Sequence, residues 1–187
     1  MDDTWLLGRF ERNLADIRRW SIVRTTREQS VVEHSFYVAL MVPRLLRQYG
    51  FEDPQMLLDA TQYALRHDMS EVLTGDIATP IKKRLPEGAF TMMEMEFGFP
   101  PEEIDPIVQQ AVKVIDLFEA AAFLAEEIAI GNSRVVDVQR VIKYKLEKAC
   151  VAFEKAVGKS DGLYRVMSTV LYHLQYSMVD PLEPDLS

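Results

Sequence analysis

The stretch DPIVQQAVKVIDLFEAAAFLAEEIAIG, residues 105–131, decides the fold. Asp105 is a capping residue, Pro106 brings the fixed φ that suits a first helical position, and Gly131 closes the segment. Between those signals the spacing predicts one long helix to Ile130. Val112, Ile115, Ala120 and Phe123 share a face that should be buried, and Asp116 falls with them. A buried carboxylate without partners is costly or takes up a proton, so Asp116 needs a cation or hydrogen-bond donors. A metal ion would satisfy it, and so would a buried salt bridge to an arginine or lysine.

Working outward, the rest of the chain also reads as helix and loop. Residues 4–18 set Trp5, Leu6, Phe10, Leu14 and Ile17 at steps of three and four, the spacing of one helix face. Ser30, with Glu33 three residues on, predicts the start of a second helix that runs to about Tyr49 and stops at Gly50. Asp53-Pro54 opens a third, through Leu57, Leu58 and Ala64 to His67. GDIATPIKKRLPEG at 75–88 carries two prolines and two glycines and reads as loop. A short methionine-rich segment follows and ends at FGFPP, 97–101. Two further helices are expected at about 133–157 and 161–178. Alternating strand patterns are scarce and no repeat is visible. The expectation is all-α, a compact single domain over residues 1–180 with a loosely held tail, PLEPDLS, at 181–187.

Composition narrows the function. At 187 residues, 48% apolar and 27% charged, the chain is of ordinary globular make-up and long enough to bury a core without disulfides. Acidic residues outnumber basic ones 29 to 21, for a net charge of −8, the reverse of what a binder of long nucleic acid shows. A small anionic substrate stays open, because a few cations in one cleft make a local positive field. Cys150 is the only cysteine, no signal-peptide pattern opens the sequence and no long uncharged apolar run is present. The reading is cytoplasmic, with no membrane partner.

Three histidines exist, and two sit among acids, in VVEHS at 31–35 and LRHDMSE at 65–71. His67 and Asp68 are neighbours at a predicted helix end. Glu71 follows four residues after His67 and shares its face if the helical turn continues. Imidazole with carboxylate suits zinc, manganese, iron, cobalt or nickel, with further ligands supplied by other helices. A lone His-Asp pair is also common on surfaces.

The series His34, His67-Asp68 and Asp116 resembles the signature of the HD phosphohydrolase superfamily. RRWSIVRTTREQSVVEHSFYVAL at 18–40, HDMSEVLTGDIATPIK at 67–82 and VKVID at 112–116 resemble its bacterial 5′-deoxynucleotidase group. The likeness covers roughly residues 10–150. It implies an HD-domain fold with His34, His67, Asp68 and Asp116 as ligands of a divalent transition metal: cobalt, manganese or zinc, or else iron or nickel. It further implies Glu71 as acid or base beside that metal and Asp76 at the sugar hydroxyl. Arg19 and Lys82 fall to the phosphate, Trp20 to the C2′ side of the sugar, Ile22 to the base pocket, and Thr79 is a further substrate contact. Each has a plainer alternative: Glu71 as a solvated helix residue, Asp76 as a turn former, Arg19 and Lys82 as surface charges, Trp20 and Ile22 as core.

The stretch from Lys82 to Asp116 is shorter than in the bacterial 5′-deoxynucleotidases. Compact phage relatives that hydrolyse dATP share an Arg-Trp pair followed closely by isoleucine, here Arg19, Trp20 and Ile22. The resemblance therefore implies hydrolysis of a small 2′-deoxynucleotide, releasing phosphate from monophosphates or, alternatively, triphosphate from triphosphates. A non-catalytic nucleotide- or partner-binding HD domain is a third reading. Cyclic-nucleotide phosphodiesterases usually carry more histidines, and alarmone hydrolases are less similar across TGD at 74–76. Members of the group commonly form dimers or larger rings, and the apolar first and last helices are the expected interfaces of a homo-oligomer.

Overall fold

A computed structural model describes residues 9–82, 84–86, 88–96 and 103–176, apart from the side chains of Arg9, Phe10, Thr79, Pro80, Phe90 and Met93. Helices α1 (Arg9–Asn13), α2 (Val31–Gln48), α3 (Pro54–Arg66), α4 (Glu71–Thr74), α5 (Thr79–Lys82), α6 (Ala89–Glu96) and α7 (Pro106–Ala129) follow in order. A 3-10 turn (Ser133–Val135) leads into α8 (Val136–Val157), and α9 (Leu163–Tyr176) completes the described chain. No strand occurs among the described residues, and the expected tail at 181–187 lies outside them. None of the described helices is long and apolar enough to cross a membrane.

The three sequence-signalled helix starts form as the capping chemistry dictates. Ser30 accepts from the Glu33 N–H, Asp53 from the Met56 N–H ahead of Pro54, and Asp105 from the Ile107 N–H ahead of Pro106. Helix α7 packs against α2 and α3 on one side and α8 and α9 on the other. Being enclosed, it buries residues around most of its circumference, among them Val108, Ala111, Val114, Ile115, Ala121, Phe123 and Leu124. Ala120, Ala121 and Ala125 leave its surface low, so neighbouring helices approach closely beside Asp116. Two buried carboxylates tie the periphery to this frame. Glu154 of α8 accepts from the Tyr49 hydroxyl at 3.1 Å and from the Asp161 and Leu163 N–H groups at 2.9 Å each, fastening α2 and starting α9.

Two expectations need correction. The helix expected at 4–18 ends at Asn13 within the described residues, because the chain then turns to bring residues 17–31 across the end of α2. There Arg19 N–H donates to the Gln29 carbonyl at 2.9 Å and Val31 N–H to the Ile17 carbonyl at 2.9 Å. Apolar spacing at Leu14 and Ile17 records burial, not helix: Leu14 is buried outside α1. The loop expected at 75–88 contains a helical turn, α5, in which the Lys82 N–H reaches back to the Ala78 carbonyl at 3.2 Å.

Glu127 of α7 holds that incoming loop. Its carboxylate accepts from the Thr26 N–H at 2.7 Å, the Thr26 hydroxyl at 2.8 Å, the Arg27 N–H at 3.0 Å and the Asn132 amide at 2.7 Å. Glu127→Ala leaves these donors without their acceptor. The expected cost is about 1–3 kcal/mol, read as a drop in thermal midpoint of about 2–4 °C for each kcal/mol lost. Circular dichroism melting checks it, and an unchanged midpoint would contradict the anchoring role.

Candidate metal centre

His34 sits in the first turns of α2, fully buried, and His67 is the C-terminal cap of α3. Asp68 follows in the turn between α3 and α4, Glu71 opens α4, and Asp116 lies mid-way along α7. The fold thus brings together residues as far apart in sequence as His34 and Asp116. The imidazole centroids of His34 and His67 are 5.4 Å apart. His34, His67 and Asp68 each offer one ligand atom, all within 4.8 Å of one another. Asp116 Oδ1 stands 3.4 Å from His34 Nε2, and Asp68 Oδ2 stands 3.4 Å from His67 Nε2.

The outer nitrogens settle which atoms face inward. His67 Nδ1 lies 2.7 Å from the Ala64 carbonyl, which can only accept, so Nδ1 carries the hydrogen. His34 Nδ1 bonds to Glu119, a carboxylate that also accepts from Arg19 and Gln29. Whenever the imidazoles are neutral, both Nε2 atoms are then lone pairs, and both are buried with no hydrogen-bond partner. They face two carboxylates, which are acceptors as well. Acceptors facing acceptors repel unless a cation or a proton lies between them. The residues present fit a divalent ion with nitrogen and oxygen ligands.

Charge in this cluster is correspondingly perturbed. Burial and Arg19 oppose protonation of His34, yet Asp116 and Glu119 outweigh them and raise its pKa. Burial would raise the Asp116 pKa, but His34, Lys113 and His67 hold it well below the usual carboxylate range. A metal ion entering here competes with a proton on the imidazole.

Asp116 was expected on a buried face, and its side chain is half-buried, with Oδ2 accepting from the exposed Lys113 Nζ at 2.7 Å. Its two oxygens thus face different ways, Oδ1 toward the His34 imidazole and Oδ2 toward an exposed lysine, in place of the buried salt bridge the sequence allowed. Glu71 is 3% exposed, with Oε1 accepting from Lys82 Nζ at 2.9 Å and Oε2 buried without a partner. Burial and the Asp68 charge push its pKa up to about 7 against the opposing pull of Lys82. Lys82, expected at a phosphate, is here the partner of Glu71.

Arg19 Nη1 donates to Glu119 at 3.1 Å and Nη2 lies 4.0 Å from Asp116 Oδ1, placing the guanidinium at the cluster's edge. Trp20 stacks on Phe123 at 5.6 Å with planes 9° apart. Its φ of 68° is a conformation bulky side chains avoid. Asp76 holds it there, Oδ2 accepting from the Trp20 N–H at 3.0 Å, while Trp20 Nε1–H donates to Gln29 at 2.9 Å. Ile22 is 68% exposed, so no pocket encloses it. The Thr79 side chain lies outside the described atoms. A groove of about 630 Å³ runs beyond Trp20 past Arg18, Arg24, Asn132 and Arg134, and none of the cluster's imidazoles or carboxylates lines it.

Glu119 and Gln29 were not found from the sequence. Glu119 lies three residues after Asp116 on a helix, a spacing that puts them on one face and could have flagged it. Gln29, 1% exposed, carries no local signal.

Known proteins resemble this chain in sequence and in fold. The sequence model of the 5′-deoxynucleotidase YfbR-like family matches residues 9–97. The 5′-deoxynucleotidase yfbR of Photorhabdus temperata is 30% identical over 158 residues, covering 73% of this chain and 78% of that protein. The chain belongs to the YfbR-like 5′-deoxynucleotidase family. The family match spans His34, His67, Asp68 and Glu71, while Asp116 and Glu119 lie beyond it on α7. A dATP triphosphohydrolase of Acinetobacter phage SH-Ab 15497 is 35% identical over 129 residues, 59% of this chain, and the chain spans 63% of that protein's length. The fold matches the Cyanophage S-2L HD phosphohydrolase DatZ, solved bound to dA and one catalytic Zn2+ ion. The TM-score is 0.60 at 24% identity, over 86% of this chain and 99% of that one.

Since the Glu71 pKa is raised, its ionised form is the one the fold disfavours. Stability from the protonated carboxyl is present at low pH and is lost as pH rises through about 7. Glu71→Gln cannot ionise, so in metal-free protein with chelator its melting midpoint should gain on the wild type between pH 5.5 and pH 8. Parallel midpoints across that range would show that Glu71 is not perturbed by its surroundings.

Proposed function

We propose that this chain is a divalent-metal-dependent phosphohydrolase of 2′-deoxynucleotides, converting deoxynucleoside 5′-monophosphates and water to deoxynucleosides and phosphate. The observation that carries this reading is the cluster of inward-facing acceptors, His34 Nε2 and His67 Nε2 with Asp68 and Asp116, beside the unpartnered Glu71 Oε2. In this reading those four residues hold the ion. The Zn2+ in DatZ supports zinc, and the same ligand set accepts cobalt or manganese. Bound there, the ion supplies Lewis acidity toward a phosphoryl oxygen and a water molecule.

The remaining work falls to the chain's own side chains. Glu71 Oε2 is poised to take a proton from the attacking water and return one to the leaving 5′ oxygen. A pKa near 7 suits both directions of transfer. Lys82 holds the other oxygen of Glu71 and so fixes where the proton is exchanged. Arg19 keeps guanidinium N–H groups beyond the one given to Glu119, and these can meet phosphate oxygens in a planar fork. Trp20, immobilised by Asp76, Gln29 and Phe123, presents a rigid wall where a ribose 2′-hydroxyl would find neither space nor partner. A purely structural metal site would need ligands but no spare buried carboxylate, which speaks against a non-catalytic domain.

A second reading, release of triphosphate from deoxynucleoside triphosphates, is favoured by the 35% identity to the phage dATP triphosphohydrolase. Action in the cytoplasm as a homo-oligomer is part of the proposal. It is supported for assembly by the exposed Val166, Val170, Tyr172 and Tyr176 of α9.

Assays of dAMP and dATP with manganese or cobalt, resolving phosphate from triphosphate, test the reading and separate its two forms. Chelator should abolish turnover. Glu71→Ala should retain metal but lose about 10²- to 10⁴-fold in kcat. No turnover of either nucleotide with any of these metals, or an unaffected Glu71→Ala enzyme, would remove the proposal.

A further inference from the structure

Glu119 carries a role that no motif announces. It lies one helical turn beyond Asp116 on α7 and is 5% exposed. One of its oxygens, Oε2, receives both His34 Nδ1 and Arg19 Nη1, the latter at 3.1 Å. The other, Oε1, accepts from Gln29 Nε2 at 2.6 Å, and Gln29 Oε1 in turn accepts from Trp20 Nε1–H at 2.9 Å. A single buried carboxylate thus touches one imidazole of the acceptor cluster and the arginine at its edge, and reaches the tryptophan through one intermediary.

We propose that Glu119 is a positioning residue that sets a metal ligand and the substrate-binding arginine together, so that metal affinity and substrate recognition are coupled through it. The inference rests on the hydrolase reading above. By accepting from Nδ1, the carboxylate fixes the His34 tautomer, turns the Nε2 lone pair inward and makes the imidazole a stronger donor to a cation. By accepting one guanidinium hydrogen at Nη1, it holds Arg19 beside Asp116, with Nη2 4.0 Å from Asp116 Oδ1. Through Gln29 it fixes the rotation of the Trp20 ring. Plain anchoring of the loop does not need Glu119, because Glu127 already holds Thr26 and Arg27.

The test uses the full chain and cobalt as the probe, following its visible absorption on titration. Glu119→Gln keeps size but loses the charge and one acceptor, and it should weaken cobalt binding about 10- to 100-fold. Its cobalt spectrum should change, and KM for the nucleotide should rise. Arg19→Ala should raise KM without weakening cobalt binding. Glu127→Gln should lower the melting midpoint and leave the cobalt spectrum as in wild type. Cobalt affinity in Glu119→Gln within about twofold of wild type overturns the proposal while leaving the hydrolase reading intact. Should Glu119→Gln not fold, nitrogen-15 spectra of the zinc-loaded wild type decide. A protonated His34 Nδ1 with metal on Nε2 supports the coupling, and metal on Nδ1 overturns it. A wild-type chain that binds no cobalt removes both this proposal and the reading beneath it.

Discussion

Hydrogen-bond acceptors do not gather in a protein interior unless something positive joins them. Here two imidazole nitrogens, each with its opposite nitrogen committed as a donor, converge with the carboxylates of Asp68 and Asp116. Desolvation makes such an arrangement costly, and a divalent cation reverses the sign of every contact in it. Much else in the molecule reads as support for this one cluster: a long central helix to carry Asp116, and buried carboxylates to brace what surrounds it.

Helix α7 makes the arrangement rigid. Enclosed by α2, α3, α8 and α9, it presents Asp116, Glu119 and Glu127 along its length, and each takes a different task. Asp116 meets the imidazole, Glu119 orients it, and Glu127 fixes the loop that delivers Arg19 and Trp20. The left-handed φ of Trp20 shows how closely that loop is specified. A conformation costing about 1–3 kcal/mol is retained because Asp76, Gln29 and Phe123 all hold the residue in place.

Capping chemistry made the helices legible. Ser30, Asp53-Pro54 and Asp105-Pro106 each satisfy the first N–H groups of a helix by short-range bonds that any tertiary context preserves. Periodicity misled at residues 14–17, where Leu14 is buried and Ile17 half-buried although both lie outside any helix. Motif spacing brought His34, His67, Asp68, Glu71 and Asp116 to notice. It was silent about Gln29 and Glu119, because an amide or carboxylate that works by orienting another side chain leaves no pattern along the chain. Lys82 shows the converse: its charge was legible, but its pairing with Glu71 was a matter of where α4 and α5 meet.

What the sequence determined by itself is local: which segments coil, where they begin, and which residues have the chemistry to bind a cation. Backbone capping and the donor or acceptor chemistry of a side chain are properties of a few neighbouring atoms, so they can be read in order. Only the tertiary structure decided which nitrogen of each histidine faces inward, which carboxylate is shared between His34 and Arg19, and that Trp20 is locked. Those outcomes depend on burial by helices far apart in sequence, where removing water turns weak preferences into fixed ones.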